Sequence, residues 1–177
     1  MKLVSFTTAV GQAGIGVVRP DGSVVALATD ESLPTTMVDF VALGAAGLDA
    51  AQRVLDDANA TVVEQPVLRA PIRPRNNVMA VGKNYREHAK EFADSGFDAS
   101  ATQTIPDHPI VFTKALTSLV GPGDPITLSV DSTGTTDYEG ELGVVIGAGG
   151  TKIQQADAWE HVSGYTGIND VTARQLP

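Results

Sequence analysis

There is no cysteine among the 177 residues. Disulfides, thiolate nucleophiles and zinc–thiolate centres are therefore excluded. Positive charge is also scarce: 12 Lys and Arg stand against 21 Asp and Glu, for a formal net charge of −9. Contact with a phosphate backbone needs clustered cations, so a nucleic-acid partner is not expected. No apolar run approaches the roughly 20 residues of a bilayer-crossing helix. The opening MKLVSFTTAVGQAG has no continuous apolar stretch of signal-peptide length. No membrane partner is expected, and the chain reads as soluble and cytoplasmic. Nucleophilic-serine chemistry lacks its G-x-S-x-G elbow. Phosphate loops fail too: GPGDP at 121–125 does not open a helix, and GAGG at 147–150 is not followed by a Lys-Ser pair.

What is present is ordinary globular composition, 42% hydrophobic and 19% charged. It extends over a length that fits one or two small domains with a sizeable core. Strands are expected at 2–6 and 14–19, with a turn at Pro20-Asp21-Gly22, where proline presets φ and glycine accepts φ > 0, and a returning strand at 23–27. Helical spacing covers 36–45 and 48–58, the latter with Leu48, Ala51, Val54 and Leu55 on one stripe. Pro66, Pro71 and Pro74 mark a boundary. It divides a small β-rich unit, 1–70, from a second unit, 71–177. The second unit is expected to hold strands at 77–81, 110–114, 125–130, 136–147 and 163–170. It also has helices at 85–94 and about 155–161, and a loop at 95–109 that could act as a lid. Many strands with few helices indicate an α+β fold.

The segment DYEGELGVVIG, 137–147, sets the chemical question. Its apolar end, Leu142, Val144, Val145 and Ile146, reads as a buried strand, yet Asp137, Glu139 and Glu141 occupy alternate positions at its start. Residues two apart share a face of a strand. Adjacent carboxylates repel unless something cationic lies between them. A divalent ion with hard oxygen ligands (Mg²⁺, Mn²⁺ or Ca²⁺) would answer that; a solvated edge face is the plainer alternative. Asp170 ends the run GYTGIND, on a neighbouring strand, and could equally be a turn or cap residue. His88 and Glu91, three apart on the helix expected over 85–94, share a face. A carboxylate beside an imidazole fixes its tautomer and raises its basicity, as a general base requires; the alternative is a surface pair. His108 and His161 have no comparable partner.

Taken in order, Gly82-Lys83-Asn84-Tyr85-Arg86-Glu87-His88-Ala89-Lys90-Glu91, Glu139-Gly140-Glu141 and Asn169-Asp170-Val171-Thr172-Ala173-Arg174 resemble the fumarylacetoacetate hydrolase family over about residues 77–175. The N-terminal unit is similar to the accessory domain of its bacterial two-domain members, the heptadienedioate isomerases and acylpyruvate hydrolases. The resemblance implies a mixed β-roll core around Mg²⁺ or Mn²⁺, with Ca²⁺ as a further option. Glu139, Glu141 and Asp170 would be the metal ligands, His88 and Glu91 a catalytic dyad, and Arg174, Lys83 and Tyr85 substrate-binding residues. It implies a homodimer acting on 2-oxo or 1,3-dicarbonyl acids of the kind met in aromatic catabolism. The expected reaction is C–C bond hydrolysis, with the dyad activating water. Decarboxylation or isomerisation of 2-oxo dioic acids, or a non-catalytic metal-binding fragment, are the alternatives. The family run A-R-D-x-Q is here Ala173-Arg174-Gln175-Leu176-Pro177, and family members continue for roughly another hundred residues, a domain-scale length. The roll is therefore expected to be incomplete, with open strand edges, and the chain by itself is expected to have little or no activity.

Overall fold

A computed structural model describes residues 1–85 and 107–175. The helix expected over 85–94 and most of the loop expected over 95–109 fall outside them, and with them His88 and Glu91.

The N-terminal hairpin pairs β1 (Leu3–Thr7) with β2 (Ala13–Val18), Leu3 opposite Val17. β3 (Val24–Ala26) returns along β2 after the expected turn. There Gly22 has φ +88° and donates its N–H to the Arg19 carbonyl. The Asp21 carboxylate accepts from the N–H and hydroxyl of Ser23, an Asx-type closure. β4 (Val67–Leu68) adds to the other edge of β1, giving the order β3-β2-β1-β4.

Two helices cover this sheet. α1 (Met37–Val41) starts where the Thr36 hydroxyl accepts the Asp39 N–H, a side-chain N-cap. α2 (Ala45–Asp56) presents Gly47, Ala50, Ala51 and Val54 inward. This corrects the expected stripe by one position: Leu48 is exposed and Leu55 only lines the core. The cause is the close α1–α2 corner. A Cβ on Gly47 would lie 2.9 Å from the Leu43 Cβ and 3.2 Å from the Phe40 carbonyl oxygen. Only small residues fit against that turn, so the small face goes inside and the larger Leu48 rotates out. The core gathers Ile15, Val17, Val25, Leu27, Phe40, Ala50, Ala51 and Val54.

The second half is built of paired strands. β5 (Val78–Gly82) runs antiparallel to β6 (Ile110–Lys114). β7 (Thr136–Asp137) pairs with β10 (Thr172–Ala173), and β8 (Gly140–Ile146) with β9 (Val162–Asn169). The strand expected at 125–130 is instead a short 3-10 turn, Leu128–Val130. Its alternating apolar residues have no pairing strand among the described residues, and Asp131 closes the turn by donating its N–H to the Leu128 carbonyl. The helix expected near 155–161 is 3-10, Gln155–His161. Strands outnumber helices throughout, in agreement with the α+β expectation.

The apolar end of β8 does not enter a core. Leu142, Val144 and Ile146 are 62%, 47% and 59% exposed, and Gly143 on the opposite face is buried. Every buried hydrophobic residue among those described lies at position 63 or before. The pattern of β8 was right in period but wrong in side. The acidic face, which carries Glu141, Gly143 and Val145, is the more covered one.

Phe40→Ala should therefore cost about 3–5 kcal/mol of stability. Val144→Thr should change it by no more than about 0.5 kcal/mol. Urea unfolding of both variants checks the pair; a large loss at Val144 would mean that its face is covered.

Candidate metal and anion site

The residue positions follow from one register. β8–β9 places Gly140 opposite Asn169, and β7–β10 places Asp137 opposite Thr172. These are the same alignment carried across an interruption at Tyr138 and Glu139. Side chains and backbone bridge that gap: the Asn169 side-chain oxygen accepts the Glu139 N–H at 3.0 Å, and the Asp170 N–H donates to the Glu139 carbonyl at 2.8 Å. Asp170 thus faces Glu139, and Glu141 is two residues further along the same strand. Residues opposite one another on an antiparallel pair share a face.

Among the described residues, Lys114 and Arg174 reach these carboxylates. The Arg174 guanidinium lies 3.2 Å from a Glu139 carboxylate oxygen and 3.1 Å from one on Asp137. The Lys114 ammonium, at the end of β6, lies 2.9 Å from Asp170. Glu141, half-buried, has no hydrogen-bond or ion-pair partner among the described residues. Asp137 tethers Arg174.

Among the described residues no three acidic or histidine side chains converge tightly enough to hold an ion, because Glu139 and Asp170 are directed to Arg174 and Lys114. The chemistry of the donor set nevertheless suits a hard divalent cation: three carboxylates in one register, Glu139, Glu141 and Asp170, all oxygen donors.

The Tyr85 hydroxyl accepts the backbone N–H of Leu142 at 3.3 Å, which brings it to β8 two residues from Gly140. Lys83 occupies the turn after β5 with φ +54°. His108 is exposed. His161 bonds through Nδ1 to the Ala148 carbonyl at 2.7 Å, a backbone partner and not a carboxylate. A surface hollow of about 380 Å³ lies between β1, β2, Met37 and residues 119–121, and none of the candidate residues lines it.

Three contributors were not singled out in the sequence. Lys114 is a lone basic residue at a strand end, with no motif around it. Asn169 was read as part of the motif but not as the bridge. Asp131 had a visible signal, the polar turn DSTGTT at 131–136. Its carboxylate accepts from the Thr133 and Thr136 hydroxyls and from the N–H groups of Thr133 and Thr135. Those bonds, the Thr133 hydroxyl foremost, hold its pKa well below the usual carboxylate range. The same turn carries Arg174: the Arg174 N–H donates to the Thr135 carbonyl, and the Gln175 N–H to the Thr135 hydroxyl.

Residues 77–177 match the family described as fumarylacetoacetate hydrolase, C-terminal. Oxaloacetate tautomerase YisK of Bacillus subtilis is 49% identical over 110 residues, which cover 62% of this chain and 34% of that protein. The solved fumarylacetoacetate hydrolase of Exiguobacterium antarcticum superposes with a TM-score of 0.72 at 35% identity, covering 99% of this chain and 57% of that one. Maleylpyruvate hydrolase of Sphingobium sp. SYK-6, solved with manganese(II) and pyruvate, shares the fold with a TM-score of 0.73 at 20% identity, over 99% of this chain and 60% of that one. This chain therefore spans about a third of the first relative and little more than half of the two solved ones.

The Asp131 turn gives a pH test. A carboxylate with a folded pKa below its unfolded value adds stability that is present above the unfolded pKa, about 4. That stability is lost as pH falls through the folded value. Asp131→Ala should therefore speed hydrogen exchange at the Thr133 and Thr135 amides near pH 7. Its difference from the unaltered chain should narrow as pH drops below about 4; a difference independent of pH would refute the assignment.

Proposed function

The chain belongs to the fumarylacetoacetate hydrolase family, and from that premise we propose that it acts on small 2-oxo acids with a divalent ion, Mg²⁺ or Mn²⁺, held by Glu139, Glu141 and Asp170. The observation that carries this reading is the single register that sets the three carboxylates beside one another with Lys114 and Arg174 among them. So many charges are not gathered at a half-covered strand end for stability, since such pairs contribute little. A manganese ion and a 2-oxo acid together in a protein of the same fold are in keeping with it.

When bound, the ion supplies a Lewis acid that draws electron density from the keto oxygen of the substrate. The rest falls to side chains. Arg174, anchored by Asp137, is suited to a substrate carboxylate, which guanidinium binds in a planar fork. Tyr85 and Lys83 flank the open end of β8 and β5 and would orient the acid. His88 and Glu91, outside the described residues, would move the proton: it leaves the carbon next to the keto group and returns to the keto oxygen. Tautomerisation needs nothing further, because no bond between heavy atoms breaks. The 49% identity to an oxaloacetate tautomerase, over a stretch as long as the family match, favours that reaction, on a 2-oxo dicarboxylic acid.

C–C hydrolysis is the second reading, favoured by the likeness to a fumarylacetoacetate hydrolase along nearly the whole chain. It requires one added step. The dyad takes a proton from water, whose oxygen bonds to the distal carbonyl carbon. The C–C bond then breaks, and the released carbon takes up the proton.

Titrating Mn²⁺ into the purified chain should raise its melting temperature, with about 2.7 kcal/mol of stabilisation at a hundredfold excess over Kd. Glu139→Ala and Glu141→Ala should remove the shift. His88→Ala should keep it while abolishing any catalysed enol–keto exchange of oxaloacetate. A flat melting temperature, or a shift that survives both Glu replacements, would sink the metal reading.

A further inference from the structure

We propose that Lys114 is a positioning residue, a latch whose ammonium occupies Asp170 in the metal-free chain and is displaced when a divalent ion arrives. The inference rests on the metal reading above and adds an order of events to it.

Each cation at the site is shared between a candidate ligand and a partner that is not one. Arg174 holds Glu139 on one side and Asp137 on the other, through both Nε and a terminal nitrogen. Lys114 holds Asp170 at 2.9 Å, and its ammonium lies 5.4 Å from the centroid of the Phe112 ring, two residues back on β6. An aromatic face at that distance attracts an ammonium. Both cations can therefore release a ligand carboxylate without losing every favourable contact. Lys114 is well suited to movement, being a point charge on a four-carbon stem with about a third of its side chain exposed.

A divalent ion and an ammonium cannot share Asp170 closely, because their repulsion grows as they approach. The ion carries two charges, and the freed Asp170 and Glu139 would join the unpartnered Glu141 around it. Lys114 would then have no carboxylate and Arg174 only Asp137, and both would turn to whatever anion arrives next. The order is metal first, anionic substrate second. The metal-free chain keeps Glu139 and Asp170 paired with Arg174 and Lys114, and these cations become available to an anion only once the ion is in place.

Amine acetylation read by mass spectrometry tests the movement on the purified chain. Adding Mn²⁺ should raise the reactivity of Lys114 several-fold and leave Lys2 and Lys152 unchanged. In calorimetry, Lys114→Met should bind Mn²⁺ about tenfold more tightly than the unaltered chain, because a competing charge is gone. Lys114→Arg, which keeps the charge, should bind as the unaltered chain does. Unchanged Lys114 reactivity on Mn²⁺ binding would overturn the latch, and so would weaker or equal binding by Lys114→Met; the metal site would stand in either case. Absence of Mn²⁺ binding by the unaltered chain and by Lys114→Met would overturn both.

Discussion

One antiparallel alignment governs the acidic end of this protein. β7 and β8 on one side, and β9 and β10 on the other, share a register that continues across an interruption at Tyr138 and Glu139. A slip by one residue would turn Glu139 and Glu141 to the other face and part Asp170 from Glu139. The interruption is where the risk of slippage is greatest, and it is pinned from both strands: the Asn169 side chain takes the Glu139 N–H, and the Asp170 N–H returns to the Glu139 carbonyl. The side chain supplies a partner that the broken ladder would have left missing. The two motif residues Asn169 and Asp170 thus divide the work: the first keeps the alignment in which the second becomes useful.

The electrostatics follow from that geometry. Carboxylates set side by side must be compensated, and the chain has few cations to spend. Among the described residues it places Lys114 and Arg174 there. Neither comes from the strands that carry Glu139 and Glu141: Lys114 arrives from β6, and Arg174 from the residue after β10. Among the described residues, Lys114 and Arg174 stand against Asp137, Glu139, Glu141 and Asp170, and the excess of negative charge is of the kind a divalent cation removes. The Asp131 turn supports this at one remove. Its hydroxyl and amide network fixes Thr135, and Thr135 holds the backbone on which Arg174 is mounted.

The legible part of the sequence was what depends on period and local chemistry. The hairpin turn at Gly22, the β5 and β6 strands, and the acidic alternation in 137–141 follow from residues close together in the chain. Asp170 stood out as the end of the run GYTGIND, and family likeness added Arg174 and the ligand role of Asp170. Lys114 could not be found either way, because its role arises only when the β5–β6 hairpin comes alongside β9. Leu48 was misplaced for a different reason. Helical spacing identifies a stripe but not how near the neighbouring helix comes, and the α1–α2 corner at Gly47 admits only small side chains.

The strand β8 shows the limit of periodicity most plainly. Alternation establishes two faces but not which one is covered, since covering comes from elements elsewhere. Hydrophobicity argued for Leu142, Val144 and Ile146 inside, and the described residues place them outside. The face with Glu141 and Gly143 is the sheltered one, and β9 covers it at Gly143: a Cβ there would lie 2.7 Å from the Ile168 side chain and 2.9 Å from that of Thr166. Ile168 is also the residue opposite Glu141. Gly143 is therefore part of the construction of this face: without a side chain of its own, it lets Ile168 and Thr166 of β9 lie across the strand two residues from Glu141.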